Sequence, residues 1–113
     1  MLKEAKQECR VEPDETAFDM EIAGLIEAAA LYMSTRGIIL KGVIRIEIDA
    51  EGRAVDKSTV RDPLIKRTIL CYCKANFGSH PHREELMKSF EMLVSTLKST
   101  TGYTNWGGGD CDD

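Results

Sequence analysis

The stretch RDPLIKRTILCYCKANF, residues 61–77, predicts the central helix of this chain. Asp62 can accept backbone N–H hydrogen bonds as an N-cap, Pro63 stands where a missing N–H costs nothing, and Gly78 favours a left-handed helix end. Mostly apolar side chains recur at helical spacing, at Leu64, Ile65, Thr68, Ile69, Tyr72, Cys73, Asn76 and Phe77, and the opposite side adds Leu70, Cys71 and Ala75. A helix apolar over so much of its circumference needs at least two packing partners.

One packing partner is predicted upstream, where the segment FDMEIAGLIEAAALYM carries an apolar stripe that ends before Gly37. The stripe consists of Phe18, Ile22, Leu25, Ile26, Ala29, Tyr32 and Met33. Asp14 or Thr16 is the expected N-cap of this helix. A shorter helix is predicted within residues 1–10, ahead of it.

The second partner is predicted downstream, in a helix that begins near Pro81. Ser79 or His80 is its expected N-cap, and Glu84 and Glu85 are favourably placed in the first turn, where carboxylates face the positive end of the helix dipole. Its apolar stripe follows helical spacing and consists of Leu86, Phe90, Leu93, Val94 and Leu97.

Between the second and third helices, residues 38–60 change from helical to strand periodicity. Val43 to Ile48 places isoleucine at alternate positions, Asp49 to Gly52 has the composition of a turn, and Arg53 to Val55 can return as a second strand. A lone hairpin is marginal in water, so it must lie on the helices or join another chain. The segment is predicted to be a β-hairpin, with a protruding loop as the alternative.

Together these elements predict a mainly α fold, a small bundle of three main helices with a short N-terminal helix and the insertion at 38–60. Residues 1–100 are expected to form this domain, and 101–113 a flexible tail without periodicity. The chain has 113 residues, enough for one core, and its net charge of -4 argues against a dedicated nucleic-acid binder. Its apolar runs are too short for a membrane helix or a signal peptide, so we expect a soluble protein made in a cytoplasm.

No catalytic residue, cofactor or metal is expected. His80 and His82 could chelate zinc with Cys71 or Cys73, and Cys73 could pair with His80 as nucleophile and base. A capping turn and buried, inert thiols explain these residues more simply. The cysteines lack CxxC spacing and are expected to be reduced. They are Cys9, Cys71, Cys73 and Cys111.

Two features indicate assembly rather than catalysis. The segment that carries Tyr103 and Trp106 is too polar to fold alone, and aromatic residues in such segments commonly dock onto a partner. The alternative is that these aromatics close the end of the core. The hairpin is the second feature, because an isoleucine-rich strand edge needs cover from another chain. The predicted partner-binding residues are Tyr103, Trp106, Val43, Arg45, Glu47 and Arg53.

Several short motifs run from one end of the chain to the other. They are ECRVE at 8–12, LIEAA at 25–29, DPLIKRTILCYCKANFG at 62–78, KSFEML at 88–93 and a trailing Tyr103. In these motifs the chain resembles the small head-tail connector proteins of tailed bacteriophages, which are also labelled DNA-packaging or head-completion proteins. The insertion at 38–60 departs from many members, which have a shorter connection there.

The resemblance implies a non-enzymatic subunit that assembles as a ring, a dodecamer in the virion, beneath the portal protein. Such a ring extends the DNA channel and docks the next head-completion or tail protein. The resemblance also implies a location at the head-tail interface of the virion, after assembly in the host cytoplasm and without a membrane. Lys66, Arg67 and Lys74 are candidates to face the channel, near packaged DNA that must slide rather than be gripped.

The alternative function is a small helical DNA-binding or regulatory module of a mobile element. It requires a basic recognition face, and the sequence offers a modest cluster at Arg61, Lys66, Arg67 and Lys74. A zinc hydrolase that uses His80 and His82 is a more distant third.

Overall fold

Four helices and two short strands make up the part of the chain that the computed structural model describes, residues 1–12, 14–78, 80–100 and 102–103. The helices are α1 (Leu2–Glu8), α2 (Asp19–Thr35), α3 (Pro63–Asn76) and α4 (Arg83–Ser99), and the strands β1 (Ile46–Ile48) and β2 (Ala54–Asp56) lie between α2 and α3. The prediction of a mainly α fold is therefore confirmed. Among these described residues, no helix has the length and apolar character needed to cross a bilayer.

Local sequence signals set both ends of α3, as predicted. The Asp62 carboxylate accepts hydrogen bonds from the amides of Leu64 at 3.0 Å and Ile65 at 3.1 Å. Pro63 takes the first helical position, where no N–H is needed. After the helix, Gly78 has a φ of +65°, a left-handed conformation that a residue without Cβ adopts at little cost.

The other three helices all pack against α3. The sequence predicted two of these partners, α2 and α4, and the structure adds α1 as a third. The shared core contains Leu2, Ala5, Ile22, Ile26, Ala29, Met33, Ile38, Val60, Ile65, Ile69, Cys73, Phe90, Val94 and Leu97. Full burial of one large aliphatic side chain stabilises a fold by about 1.5–3 kcal/mol, so this core is the main source of stability.

The predicted N-cap of α2, Asp14 or Thr16, is wrong. Phe18 occupies the cap position and makes no side-chain hydrogen bond to the helix, while Thr16 offers its carbonyl oxygen to the Asp19 amide at 3.2 Å. The Phe18 side chain is 42% exposed and packs edge-on against Phe77, with ring centroids 5.4 Å apart. The helix therefore starts where the preceding loop packs on the bundle, which local sequence does not determine.

The N-cap of α4 is His82 rather than the predicted Ser79 or His80. His82 stands at the cap position without a side-chain hydrogen bond to the helix, and the ring of His80 accepts the His82 amide through Nδ1 at 3.0 Å. The other predicted cap, Ser79, lies outside the described residues. Glu84 and Glu85 lie in the first turn, as predicted.

β1 and β2 pair antiparallel, with Glu47 opposite Val55, so the prediction of a hairpin is confirmed. The ladder continues past the strand ends, because the Lys57 amide donates to the Arg45 carbonyl oxygen at 2.7 Å. The hairpin is thus longer than its two three-residue strands suggest.

The base of the hairpin is fixed to the helices. Ile38 and Val60, at its two ends, are each 4% exposed within the core. In β2, the Asp56 carboxylate accepts a hydrogen bond from the Leu2 amide at 2.7 Å and lies 2.7 Å from the Met1 amino nitrogen. The hairpin therefore rests on α1 as well as on the core.

A buried ion pair joins α1 to α2. Lys6 Nζ lies 2.9 Å from Asp19 Oδ1, and the two residues are only 5% and 7% exposed. Removing one member of such a pair leaves a buried charge without compensation, which is strongly destabilising. This contact holds the short α1 against the bundle.

Candidate interaction surfaces

One side of the hairpin gathers the four hairpin residues predicted to contact a partner. Because alternate side chains of a strand point to opposite faces, Val43, Arg45, Glu47 and Arg53 lie together with Val55 on one side. We call this side the outer face. Val43 is 57% exposed, Val55 is 37% exposed, and the Arg45 side chain is 65% exposed. The outer face is therefore available to another chain.

The opposite side of the hairpin lies on the helices. Ile44, Ile46 and Ala54 are half-buried against the core, whereas Ile48, near the turn, is 46% exposed.

Each strand pairs with the other along a single edge, so its second edge offers backbone groups to an additional strand.

Charges on the outer face pair with one another. The Glu47 carboxylate lies 2.8 Å from Arg45 Nε and 3.0 Å from Lys57 Nζ. The hydrogen bond from Lys57, with Arg45 beside it, lowers the pKa of the Glu47 carboxyl group. The outer face thus combines exposed valines with charges that are paired with one another.

A second exposed apolar patch lies on α2 and was not predicted. Met20 is 71% exposed and Leu31 is 65% exposed, and they lie on the same side of the helix about three turns apart, with Gly24 between them. We call these three residues the α2 stripe. The sequence did contain a signal for this patch. Met20 and Leu31 are not part of the apolar stripe of α2 that faces the core, yet their spacing places both on one side of the helix.

A groove of about 530 Å³ lies between α1, α3 and α4. Its apolar lining consists of Leu70, Cys71, Leu86 and Leu93, and its charged lining of Arg61, Lys66, Arg67 and Lys74 with Glu4 and Glu8. The three residues predicted to face a DNA channel are therefore brought together in one groove, which is bordered on the α1 side by carboxylates.

Within the groove, Lys66 is already paired. Its Nζ binds the Glu4 carboxylate, and this hydrogen bond, followed by that from the N-terminal amino group, lowers the pKa of Glu4 to about 2. Among the described residues, no carboxylate lies within ion-pair distance of Arg61, Arg67 or Lys74. The groove therefore carries surplus positive charge although the chain as a whole is acidic.

Tyr103 packs against the body of the protein. Its hydroxyl donates to Asp62 Oδ2 at 2.9 Å, its carbonyl oxygen accepts the Ile39 amide at 2.6 Å, and Lys41 Nζ lies 3.9 Å from its ring centroid. This arrangement corresponds to the alternative in which the aromatic residue closes the end of the core. Trp106, the other predicted aromatic contact, lies outside the described residues.

The histidine turn forms no metal site with the described residues, since no three His, Cys, Asp or Glu side chains converge there or elsewhere in that part of the chain. His82 Nδ1 lies 2.9 Å from Glu85 Oε1, and both side chains are exposed. The turn directly precedes α4.

The thiols that the structure describes are free and shielded. They are Cys9, Cys71 and Cys73; Cys111 lies outside the described residues. Burial raises the pKa of Cys73 to about 12 and that of Cys9 to about 11, with smaller contributions from nearby negative groups. Little thiolate forms at neutral pH, so these side chains are poor nucleophiles.

A family model described as phage connector protein matches residues 1–104. This chain belongs to the phage connector family. The match extends over the whole helical bundle and the hairpin, and it confirms the resemblance found in the sequence motifs. No curated protein and no solved structure gives a significant match to the connector. Family membership supports a structural role at the head-tail joint, a place in the virion and contacts with other virion proteins.

Proposed function

We propose that this connector is the subunit of a ring that lies beneath the portal protein, extends the DNA channel and docks the next head-completion or tail protein. The observation that carries the proposal is the pair of exposed patches, the outer face and the α2 stripe. The subunit would assemble in the host cytoplasm, and the finished ring, a dodecamer, would remain at the head-tail interface of the virion.

A closed ring needs a heterologous contact, in which two different surfaces of each subunit meet their counterparts on the neighbours. The outer face and the α2 stripe are two such different surfaces. The first is a β surface with paired charges around Val43 and Val55, and the second is an apolar helical surface centred on Met20 and Leu31. We therefore propose them as the two sides of the subunit contact.

The groove residues Lys66, Arg67 and Lys74 are proposed to face the channel in the assembled ring. Their surplus charge is moderated by Glu4 and Glu8 across the groove. A lining with both signs of charge attracts the phosphate backbone weakly, because fewer counterions are released on contact. Such a surface allows packaged DNA to slide.

The contact is tested with Leu31→Glu in the α2 stripe and Val43→Glu on the outer face. Each variant should fold but lose ring formation, because a carboxylate would be buried in the contact. Native mass spectrometry in the presence of the portal protein gives the copy number. Lys98→Glu, a change at an exposed position of α4 that belongs to neither patch, serves as the matched control and should assemble normally.

Mixing the two variants tests the heterologous geometry. A Leu31→Glu subunit retains an intact outer face and a Val43→Glu subunit retains an intact α2 stripe, so the mixture should form heterodimers that cannot close. Rings formed by either variant alone would contradict the proposed contact. A mixture without heterodimers would show that the two patches do not meet each other.

A further inference from the structure

The edge of β1 that faces away from β2 has unpaired backbone groups. The Lys57 amide donates to the Arg45 carbonyl oxygen at 2.7 Å, so Arg45 directs its backbone groups toward β2. Successive residues of an antiparallel strand direct these groups to opposite edges. The backbone groups of Ile44, Ile46 and Ile48 therefore point away from β2, and within the described part of the chain they make no hydrogen bond. We call these three residues the β1 edge.

The other edge of the hairpin, on β2, is partly closed. Asp56 Oδ1 accepts the Ser58 amide at 2.9 Å, which removes one donor from that edge. Residues 43–48 of the first strand contain no proline, a residue that natural proteins often place on exposed strands to block further pairing. The β1 edge is therefore the side of the hairpin that can accept another strand.

Residues 44–48, IRIEI, are complementary to a reversed copy of themselves. Two antiparallel copies centred on Ile46 place Ile44 opposite Ile48, and Arg45 opposite Glu47, on both sides of the centre. The isoleucines then form the hydrogen-bonded pairs, through the backbone groups that are free in one subunit. Arg45 and Glu47 form the non-hydrogen-bonded pairs, in which side chains approach most closely, and opposite charges stabilise such pairs.

We propose that free connector subunits associate in pairs through their β1 edges, which gives a four-stranded antiparallel sheet across a two-fold axis. The occupant of the edge is a second copy of this chain. Ile48, 46% exposed in the single subunit, lies beside Ile44 of the second copy. Glu47 exchanges its contact with Arg45 of its own strand, at 2.8 Å, for Arg45 of the second copy, so the charges remain paired.

This pairing goes beyond the proposed ring, because a two-fold contact closes on itself and cannot propagate around a ring. It shares Arg45 and Glu47 with the outer face but depends on backbone groups that the ring contact does not use. The contact is small, so the dimer is weak and its population depends on concentration. It covers a strand edge that would otherwise favour aggregation while the subunits are free.

Sedimentation equilibrium of the full-length chain without portal protein tests the pairing. We expect a monomer–dimer equilibrium, with hydrogen exchange at the amides of Ile44, Ile46 and Ile48 slowed several-fold as concentration rises. Ile48→Pro removes one edge amide from each copy and should raise the dissociation constant about tenfold or more. Ile48→Val keeps the amide and should leave the constant nearly unchanged. Circular dichroism of the helices checks that both variants fold.

A charge exchange tests the register of the two strands. Arg45→Glu places carboxylates opposite each other on both sides of the centre, and Glu47→Arg does the same with cations, so each variant alone should dimerise weakly. An equimolar mixture should form heterodimers, because every cross-strand pair then has opposite charges. For the same reason the double variant Arg45→Glu/Glu47→Arg should dimerise by itself.

A chain that stays monomeric at its highest soluble concentration would overturn the proposal. Dimers of Ile48→Pro as tight as those of the unaltered chain, or a charge-variant mixture without heterodimers, would overturn it as well. Leu31→Glu, which is designed to block the ring contact, should still dimerise, and loss of the dimer in that variant would place the contact on the α2 stripe instead. Ring formation is measured with the portal protein present, so failure of the dimer is distinguishable from failure of the ring.

Discussion

Asp62 holds the start of α3 and the last described aromatic residue at the same time: its Oδ1 accepts the amides of Leu64 and Ile65, and its Oδ2 accepts the hydroxyl of Tyr103. Burial alone would raise the pKa of the Asp62 carboxyl group, but these hydrogen bonds, with Lys41 nearby, lower it. One side chain thus couples the central helix to the end of the bundle.

Replacing Asp62 tests this coupling. Asp62→Ala should lower the free energy of unfolding by about 1 kcal/mol through loss of the N-cap, with a further loss from the freed Tyr103. Asp62→Asn is the control, because asparagine caps helices about as well as aspartate. Urea denaturation gives both values. Equal destabilisation by the two variants would show that the charge, rather than the cap, is what matters.

The buried pair of Lys6 and Asp19 gives a larger effect. Lys6→Met should destabilise the fold by about 3–5 kcal/mol, because the Asp19 carboxylate would stay buried without its cation. The double variant Lys6→Met/Asp19→Leu removes both charges and should recover most of that loss. A double-mutant cycle in urea measures the coupling, and additive losses would contradict an interaction between the two side chains.

Stability should fall in acid because of Glu4 and Asp56. The Lys66 hydrogen bond lowers the pKa of Glu4 from 4.5 to about 2. Burial would raise the pKa of Asp56, but its hydrogen bonds from the Met1 amino group, Leu2 and Ser58 outweigh this and lower it from 3.8 to about 2. Both folded-state values are depressed, so the stabilisation is present at neutral pH and is lost as the pH falls through 4 toward 2.

Urea midpoints measured between pH 7 and pH 2 test this dependence on pH. The double variant Glu4→Gln/Asp56→Asn should start less stable and show a shallower loss, since it lacks the two groups that take up protons on unfolding. An unchanged slope would assign the acid sensitivity to other carboxylates.

The thiol of Cys73 should be protected from alkylation in the native state. It is fully buried and its pKa is raised to about 12, so iodoacetamide at pH 8 should modify it orders of magnitude more slowly than in urea. Mass spectrometry of peptides after timed labelling distinguishes it from the other cysteines. Equal rates in buffer and urea would show that α3 opens readily.

Much of the fold follows from local sequence. Asp62, Pro63 and Gly78 define α3 through hydrogen bonds and dihedral preferences that act within a few residues, and those predictions are confirmed. The hairpin follows from strict alternation around Ile46, because a strand must place alternate residues on opposite sides. The N-caps of α2 and α4 could not be predicted from local sequence, because the conformation of the loops before those helices depends on how they pack against the rest of the bundle.

The interaction surfaces divide in the same way. The sequence by itself determined the family, the helical class and the four hairpin residues that the structure gathers on one face, because those depend on periodicity and short motifs. Only the tertiary structure decided that Met20 and Leu31 remain exposed, that Tyr103 turns back onto Asp62 and that the cations of α3 meet Glu4 across a groove. Each of these depends on which segments, distant in the chain, are brought into contact, and burial and ion pairing are properties of those contacts rather than of any single helix.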